Sequence, residues 1–172
     1  MGETCTLRTA DETDRPVLRG FHRALYCKHQ NQILPEQTRP LIAYEDYETL
    51  LEADIDALLA DRAAHVLVAE REGRAIGYIT ARTKVEPRRA LSRRAVLEDW
   101  YVEPEHRGHG VGHALLRALE GRLEAVGCEV LESGTWSDNE VGRRAHESLG
   151  FQEVRTTYQK PLRGHSDPPK PE

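Results

Sequence analysis

The sequence predicts an α/β fold, a mixed sheet with helices on its faces. Three observations carry that prediction. Segments with a period of two and segments with a period near 3.6 follow one another in the order β-α-α-β-β-β-α-β-α-β. The apolar run Val66-Leu67-Val68-Ala69 turns back through Glu72-Gly73 into Ala75-Ile76-Gly77-Tyr78-Ile79-Thr80, which reads as a hairpin. A strand over residues 95–102 then passes through a turn carrying Gly108, Gly110 and Gly112 into an amphipathic helix.

In chain order, residues 5–9 alternate weakly, as an edge strand does. Thr13-Asp14-Arg15-Pro16 joins a capping side chain to an early proline and starts a helix, which Val17, Leu18, Phe21 and Leu25 carry toward Tyr26. Residues 27–40 contain two prolines and no clean period, and a connection of that length in a compact domain is often functional. Tyr47, Leu50, Leu51, Ile55, Leu58 and Leu59 mark a second helix whose outer face is acidic. After the hairpin, Arg88, Arg89, Arg93 and Arg94 crowd a connection that reads as a solvated tip. In the next strand, alternation sends Val96, Glu98, Trp100 and Val102 to one face and Leu97, Asp99 and Tyr101 to the other. Val111, Leu115, Leu116, Leu119, Leu123 and Val126 keep a helical period that Gly127 stops. Residues 130–136 read as a strand, Asp138-Asn139 opens a last helix that Gly150 closes, and residues 151–160 read as a long final strand. Residues 163–172 hold three prolines and no apolar residue and read as a disordered tail, which leaves a domain over 1–162.

Composition narrows the function. A formal net charge of −5 does not favour nucleic-acid binding. Cys5, Cys27 and Cys128 are scattered and form no Cys-x-x-Cys pair, which points to a reducing, cytoplasmic location. No apolar run is long enough to span a bilayer, and no secretory signal precedes the first strand. Met1-Gly2-Glu3-Thr4-Cys5-Thr6 matches a myristoylation pattern in form only, because Thr6 is needed in the first strand.

Closely spaced glycines at a helix entrance let the backbone approach a bulky anion, and the unpaired first-turn N–H groups attract it. Arg107-Gly108-His109-Gly110-Val111-Gly112 lacks the Gly-x-Gly-x-x-Gly spacing of a dinucleotide site, and no Lys-Ser or Lys-Thr follows it as in a Walker loop. His106, His109 and His113 show two ligand-like spacings, but the intervening glycines hold the backbone open, so no metal is expected. A pyrophosphate held by backbone amides remains, beside the plainer reading of a turn whose glycines only permit tight packing.

The flanks point further. Arg-x-x-Gly-x-Gly follows directly on a strand ending Tyr-Val-x-Pro-Glu, and downstream lie Asn139 and Leu149-Gly150-Phe151. This combination resembles the GNAT superfamily of acetyl-CoA-dependent N-acetyltransferases, over nearly the whole of residues 6–162. The resemblance implies a mostly antiparallel mixed sheet, splayed between its fourth and fifth strands and flanked by about four helices. It implies acetyl-CoA as co-substrate and no metal. Main-chain groups of Trp100, Tyr101 and Val102 would pair with the pantetheine arm. Amides of Gly108, His109, Gly110, Val111, Gly112 and His113 would hold the pyrophosphate, with Arg107 supporting the loop. Asn139 would contact the pantetheine or the departing thiol.

Acetyl transfer to an amine needs a base for the ammonium proton, a donor for the developing oxyanion, and a proton or hydrogen bond for the thiolate. Glu98 is the first choice of base and Asp99 the second, with a water chain as substitute for either. Many members of the superfamily carry a tyrosine seven residues after the asparagine. Here that residue is His146, which can donate a proton or stand as a hydrogen-bonding spectator. The Ser137-Asp138-Asn139 segment with His146 is similar to some aminoglycoside N-acetyltransferases, and phosphinothricin-type enzymes also carry the histidine. The aminoglycoside type usually places an aspartate where this chain has Gly134. The expected acceptor is a primary amine, small and cationic, with a protein or peptide N-terminus as the nearer alternative and a non-catalytic acyl-CoA sensor as the alternative of another class. Dimers are common in the superfamily, so a homodimer is among the expected states.

Overall fold

In the computed structural model, which describes residues 5–162, the period-two segments form five strands. They are β1 (Thr6–Thr9), β2 (Ala64–Arg71), β3 (Arg74–Val85), β4 (Arg93–Val102) and β5 (Val130–Ser133). The helical segments are α1 (Arg15–Lys28), α2 (Tyr47–Ala60), α3 (Val111–Ala125) and α4 (Glu140–Ser148). Strand order follows chain order, and neighbours are antiparallel except for the parallel pair β4–β5, whose connection is the helical crossover α3. Among the described residues, 5–26 and Asp46–Gly134 form one compact unit, and Cys27–Glu45 with 135–162 form the other.

In the first unit, Val68 pairs with Tyr78 across β2 and β3, and Leu18 and Phe21 of α1 with Leu51, Ile55 and Leu58 of α2 bury that face. The other face carries Leu67 opposite Ile79 and is covered by α3, through the buried Leu115, Leu116 and Leu119. Truncating any one of these leucines to alanine costs about 2–5 kcal/mol. The acidic face of α2 meets arginines at four-residue spacing on α1: Arg15 with Asp56 at 2.7 Å, Arg19 with Glu52 at 3.5 Å, and Arg23 with Glu48 at 2.6 Å. At the start of α1 the buried Asp14 takes both Nη groups of Arg8 at 2.7 Å and the Asp11 N–H at 2.8 Å. Those bonds, Arg8 foremost, hold the Asp14 carboxyl below the ordinary range.

β4 departs from the expected alternation. Thr80 opposes Asp99 and Ala81 opposes Leu97, so Glu98 is an extra residue, a β-bulge. The bulge resets the pleat. Val96, opposite Arg82, shares a face with Asp99 and Tyr101, while Leu97 shares the other with Trp100 and Val102. Leu97 and Asp99 therefore do not face the same way, and the Val96-Trp100-Val102 face does not exist. An inserted residue has no signature in a pattern of period two.

β5 is also shorter than its sequence suggests. It pairs with β4 only over Arg94 to Leu97. Beyond the bulge, β4 stays paired with β3 but has no strand on its β5 side among the described residues, which is the splay between fourth and fifth strands. β3 is longer than expected and extends to Val85.

In the second unit, Asn139 caps α4, and Leu34 is buried between a π-helical turn at His29–Ile33 and a 3-10 turn at Arg39–Leu41. Residues 151–160, expected as a final strand, form none, and Val154 and Tyr158 are each 91% exposed. Alternation supplies propensity, but a strand persists only where an edge takes its N–H and C=O groups. The expected tail at 163–172 lies outside the described residues.

Candidate active site

The first unit brings most of the expected site residues together. The Asp99 N–H donates to Thr80 Oγ1 at 3.1 Å and the Glu103 N–H to the Ile76 carbonyl at 2.9 Å, so these odd-numbered amides face β3. Alternation then turns the amides of Trp100 and Val102 toward the open edge. The Tyr101 main chain, expected to join them, faces β3 instead: a Cβ on Gly77 would lie 2.7 Å from its carbonyl oxygen. Gly77 is there because the two strands approach too closely for a side chain. The open edge thus offers Trp100 and Val102, and an extended polar chain laid along it would act as an added strand.

The edge leads into the glycine turn. Gly108 and Gly110 have φ of 76° and 83°, left-handed values that glycine adopts without steric cost. A Cβ on either would meet no protein atom within 4 Å, so the chain leaves open space there. Gly112 has a different reason: its Cβ would lie 3.3 Å from Trp100 Nε1, so the helix start rests on the indole. No side chain caps α3, and its first internal bond runs from the Ala114 N–H to the Gly110 carbonyl at 2.9 Å. The first-turn N–H groups of Val111, Gly112 and His113 therefore face outward with the positive end of the helix dipole. Arg107 closes the turn onto the strand, donating through Nε to the Val102 carbonyl at 2.8 Å with its guanidinium 5.5 Å from the Tyr101 ring centre. His109 lies in the turn among exposed residues. His106 belongs to the preceding 3-10 turn, close to Glu103.

The carboxylates at the bulge have separate surroundings. Glu98 receives Arg82 Nη1 at 2.7 Å on both oxygens. Asp99 leaves 17% of its side chain exposed and lies 3.8 Å from His22 Nε2. Burial holds its carboxyl above the ordinary carboxylate range, the nearby imidazole pulls the other way, and the Glu98 charge adds to the rise. Glu98 and Asp99 were expected on opposite sides of a regular strand. The bulge brings both toward the face that carries Arg82 and Thr80. His22, Arg82 and Thr80 escape sequence reasoning, since each becomes a neighbour only through register or helix packing. Gly77, a lone glycine inside a strand pattern, was the one legible hint.

Asn139 and His146 belong to the second unit. Asn139 Oδ1 accepts the Gly142 N–H at 3.0 Å and its Nδ2 donates to Thr135 Oγ1 at 3.0 Å, so this side chain caps a helix. His146 Nδ1 donates to the Gly142 carbonyl at 2.6 Å. The helix closes through Phe151 N–H to His146 O and Gly150 N–H to Glu147 O, a Schellman pattern, with Gly150 at φ 89°. The His146 and Phe151 rings meet edge to face at 5.2 Å, the side-chain contact such a clasp carries.

The parallel pair β4–β5 splays beyond Leu97, and the unpaired strand edge leads to an uncapped helix start. Comparison with known proteins shows the family. Residues 25–151 match the model of the acetyltransferase (GNAT) family. An aminoglycoside N(6')-acetyltransferase type 1 of Stenotrophomonas maltophilia is 30% identical over 118 residues, 67% of this chain and 77% of the relative. A phosphinothricin N-acetyltransferase of Alcaligenes faecalis is 32% identical over 149 residues, 86% of this chain and 70% of the relative. The crystal structure of aminoglycoside N-acetyltransferase AAC(6')-Iy in complex with CoA superposes with a TM-score of 0.73 at 23% identity, covering 95% of this chain and 98% of that one. The chain belongs to the acetyltransferase (GNAT) family. It is an N-acetyltransferase that draws its acetyl group from acetyl-CoA.

Proposed function

We propose that this N-acetyltransferase acts on a primary amine of a small cationic molecule, with Asp99 as the base. The observation that carries the reading is the continuous path from the open edge at Trp100 and Val102 to the amides of residues 108–113. That path suits an extended polar arm by its unpaired strand edge and a pyrophosphate by its helix-start amides. Asp99 sits where the arm would end, and burial raises its hold on a proton. Glu98 is pinned and neutralised by Arg82, which makes it the anchor of the bulge. An open-edge amide at the bulge supplies the oxyanion donor.

His146 serves the thiol side in this reading. The Gly142 carbonyl fixes Nδ1 as a donor, so the ring has a proton to give from Nε2 only as an imidazolium. Asn139 acts mainly by capping the helix that carries it.

The acceptors in the relatives' names, an aminoglycoside and phosphinothricin, are both small amines and support a small-molecule acceptor, and the aminoglycoside alone supports the cationic charge. The acidic face of α2 is largely engaged by arginines of α1, so the acceptor's charge is met nearer Asp99. Unpaired Cys5, Cys27 and Cys128 fit a cytoplasmic location, and no helix among the described residues is long and apolar enough to cross a membrane. A panel of aminoglycosides, amino acids, polyamines and peptides, assayed by thiol release beside calorimetric CoA binding, tests the proposal. Turnover on small amines supports it; turnover on peptides alone assigns a protein acceptor. Binding without turnover on any amine assigns a sensor. Light scattering of the same sample reads the dimer.

A further inference from the structure

Beside Asp99 lies a line of polar rings that the acetyl-transfer reading does not use. His22 of α1 stands 3.8 Å from Asp99 through Nε2, and its Nδ1 is 2.7 Å from the Tyr47 hydroxyl of α2. Tyr47 stacks on Tyr26, with ring centres 3.9 Å apart and planes within 12°. His22 keeps 24% of its side chain exposed, so the line runs from a mostly buried carboxylate toward solvent.

We propose that His22, oriented by Tyr47, is the positioning partner of Asp99 and relays the acceptor's proton out of the site. The inference rests on the acetyltransferase reading. It explains three features at once: a carboxylate kept beside an imidazole, an imidazole fixed by a tyrosine, and a tyrosine fixed by a second ring.

The proton count requires an exit. The acceptor enters as an ammonium ion and gives one proton to Asp99. The freed lone pair forms the C–N bond to the acetyl carbon while the C–S bond breaks. The nitrogen then sheds a second proton and the thiolate takes one, so one proton leaves per turnover. A carboxylate with little contact to water discharges it through a neighbour that accepts at one nitrogen and releases at the other. When the Tyr47 hydroxyl donates to Nδ1, Nε2 carries the hydrogen toward Asp99; when Nδ1 donates, Nε2 is the acceptor. The two arrangements are the two states of a relay.

Other charged and titratable groups around the pair are accounted for. From α2, Glu48 is held by Arg23 at 2.6 Å. From β4, Glu98 is held by Arg82 at 2.7 Å. From β3, the buried Tyr78 hydroxyl stays neutral, its pKa pushed far up by burial and by Asp99.

The test measures kcat/KM against pH for wild type, His22→Gln and Tyr47→Phe on one panel amine, with CoA affinity by calorimetry. In H22Q, turnover falls about tenfold or more while the CoA Kd stays within about twofold, the mark of an intact fold. Its acid limb moves to higher pH, because Asp99 loses the neighbouring imidazole that favoured its charged form. Y47F, which keeps the stacked ring, shifts the limb in the same direction by less. An H22Q enzyme with the wild-type profile overturns the relay, as does one whose activity and CoA binding fall in parallel. Wild type that binds CoA and acetylates nothing overturns the catalytic reading itself, a result visible before any variant is made.

Discussion

Arg82 Nη1 lies 2.7 Å from both carboxylate oxygens of Glu98, while its Nε reaches Asp61 at 2.9 Å. One guanidinium thus joins the C-terminal cap of α2 to the bulge of β4. It holds the extra residue in place, and so holds Asp99 one position further round than a regular strand would. The two adjacent acids have different work. Glu98→Gln loosens the bulge and lowers kcat several-fold, whereas Asp99→Asn removes the proposed base and lowers it by about 10²–10⁴. Steady-state rates on a shared amine decide the matter, and an E98Q loss equal to that of D99N reverses the assignment.

The same two-sided accounting applies to stability. Burial raises the Asp99 pKa above its unfolded value, so the folded state favours the neutral acid. Its charge costs stability at neutral pH, and that cost fades as pH falls through the raised folded pKa. Asp14 has the opposite sign: Arg8 depresses its pKa, so its contribution is full above the unfolded value near 4 and is lost as pH falls through the folded one. At pH 7, D99N therefore melts higher than wild type, by an amount equivalent to about 1 kcal/mol. D14N loses about 2–3 kcal/mol through its unpaired arginine and opened cap. Melts from pH 7 downward show the D99N difference shrinking first, while the D14N difference holds to about pH 4 and shrinks only below it. A D99N enzyme less stable than wild type at pH 7 contradicts the burial argument.

Much of this was legible in the sequence, for local reasons. Gly108 and Gly110 declare themselves because a turn into a helix demands left-handed residues, and Gly150 because a helix must end. The helix faces follow from Leu115, Leu116 and Leu119 at their fixed spacing. What stayed hidden depends on pairing between distant segments. The bulge at Glu98 exists only in the register of β3 against β4. The partnership of His22 with Asp99 joins residues from different elements, and no periodicity links them. Residues 151–160 show the converse: a strand-like pattern that finds no edge among the described residues.

His146 tests whether a helix clasp also serves chemistry. Its Nδ1 is committed to Gly142 and its ring to Phe151, so a structural role is already secured. If the ring also protonates the thiolate, it does so from Nε2 and only as a cation. His146→Phe keeps the ring contact and removes the proton. The expected result is a kcat lower by about tenfold and a CoA Kd changed by less than about twofold. Equal rates across the pH range remove His146 from the mechanism and leave it as part of the clasp.

The glycine turn separates strain from obstruction in a single pair of variants. A side chain at Gly110, at φ 83°, costs about 1–2 kcal/mol of backbone strain. Within the protein, however, its Cβ meets nothing, so any further loss must come from what occupies the open space. Gly110→Ala and Gly110→Val share the strain, and the valine adds bulk on the side where the pyrophosphate is placed. G110V should therefore bind CoA at least about tenfold more weakly than G110A, beyond any difference in their melting temperatures. Calorimetry on the two variants measures that gap. Equal CoA affinities would leave Gly110 a turn residue only and move the phosphate seat away from the start of α3.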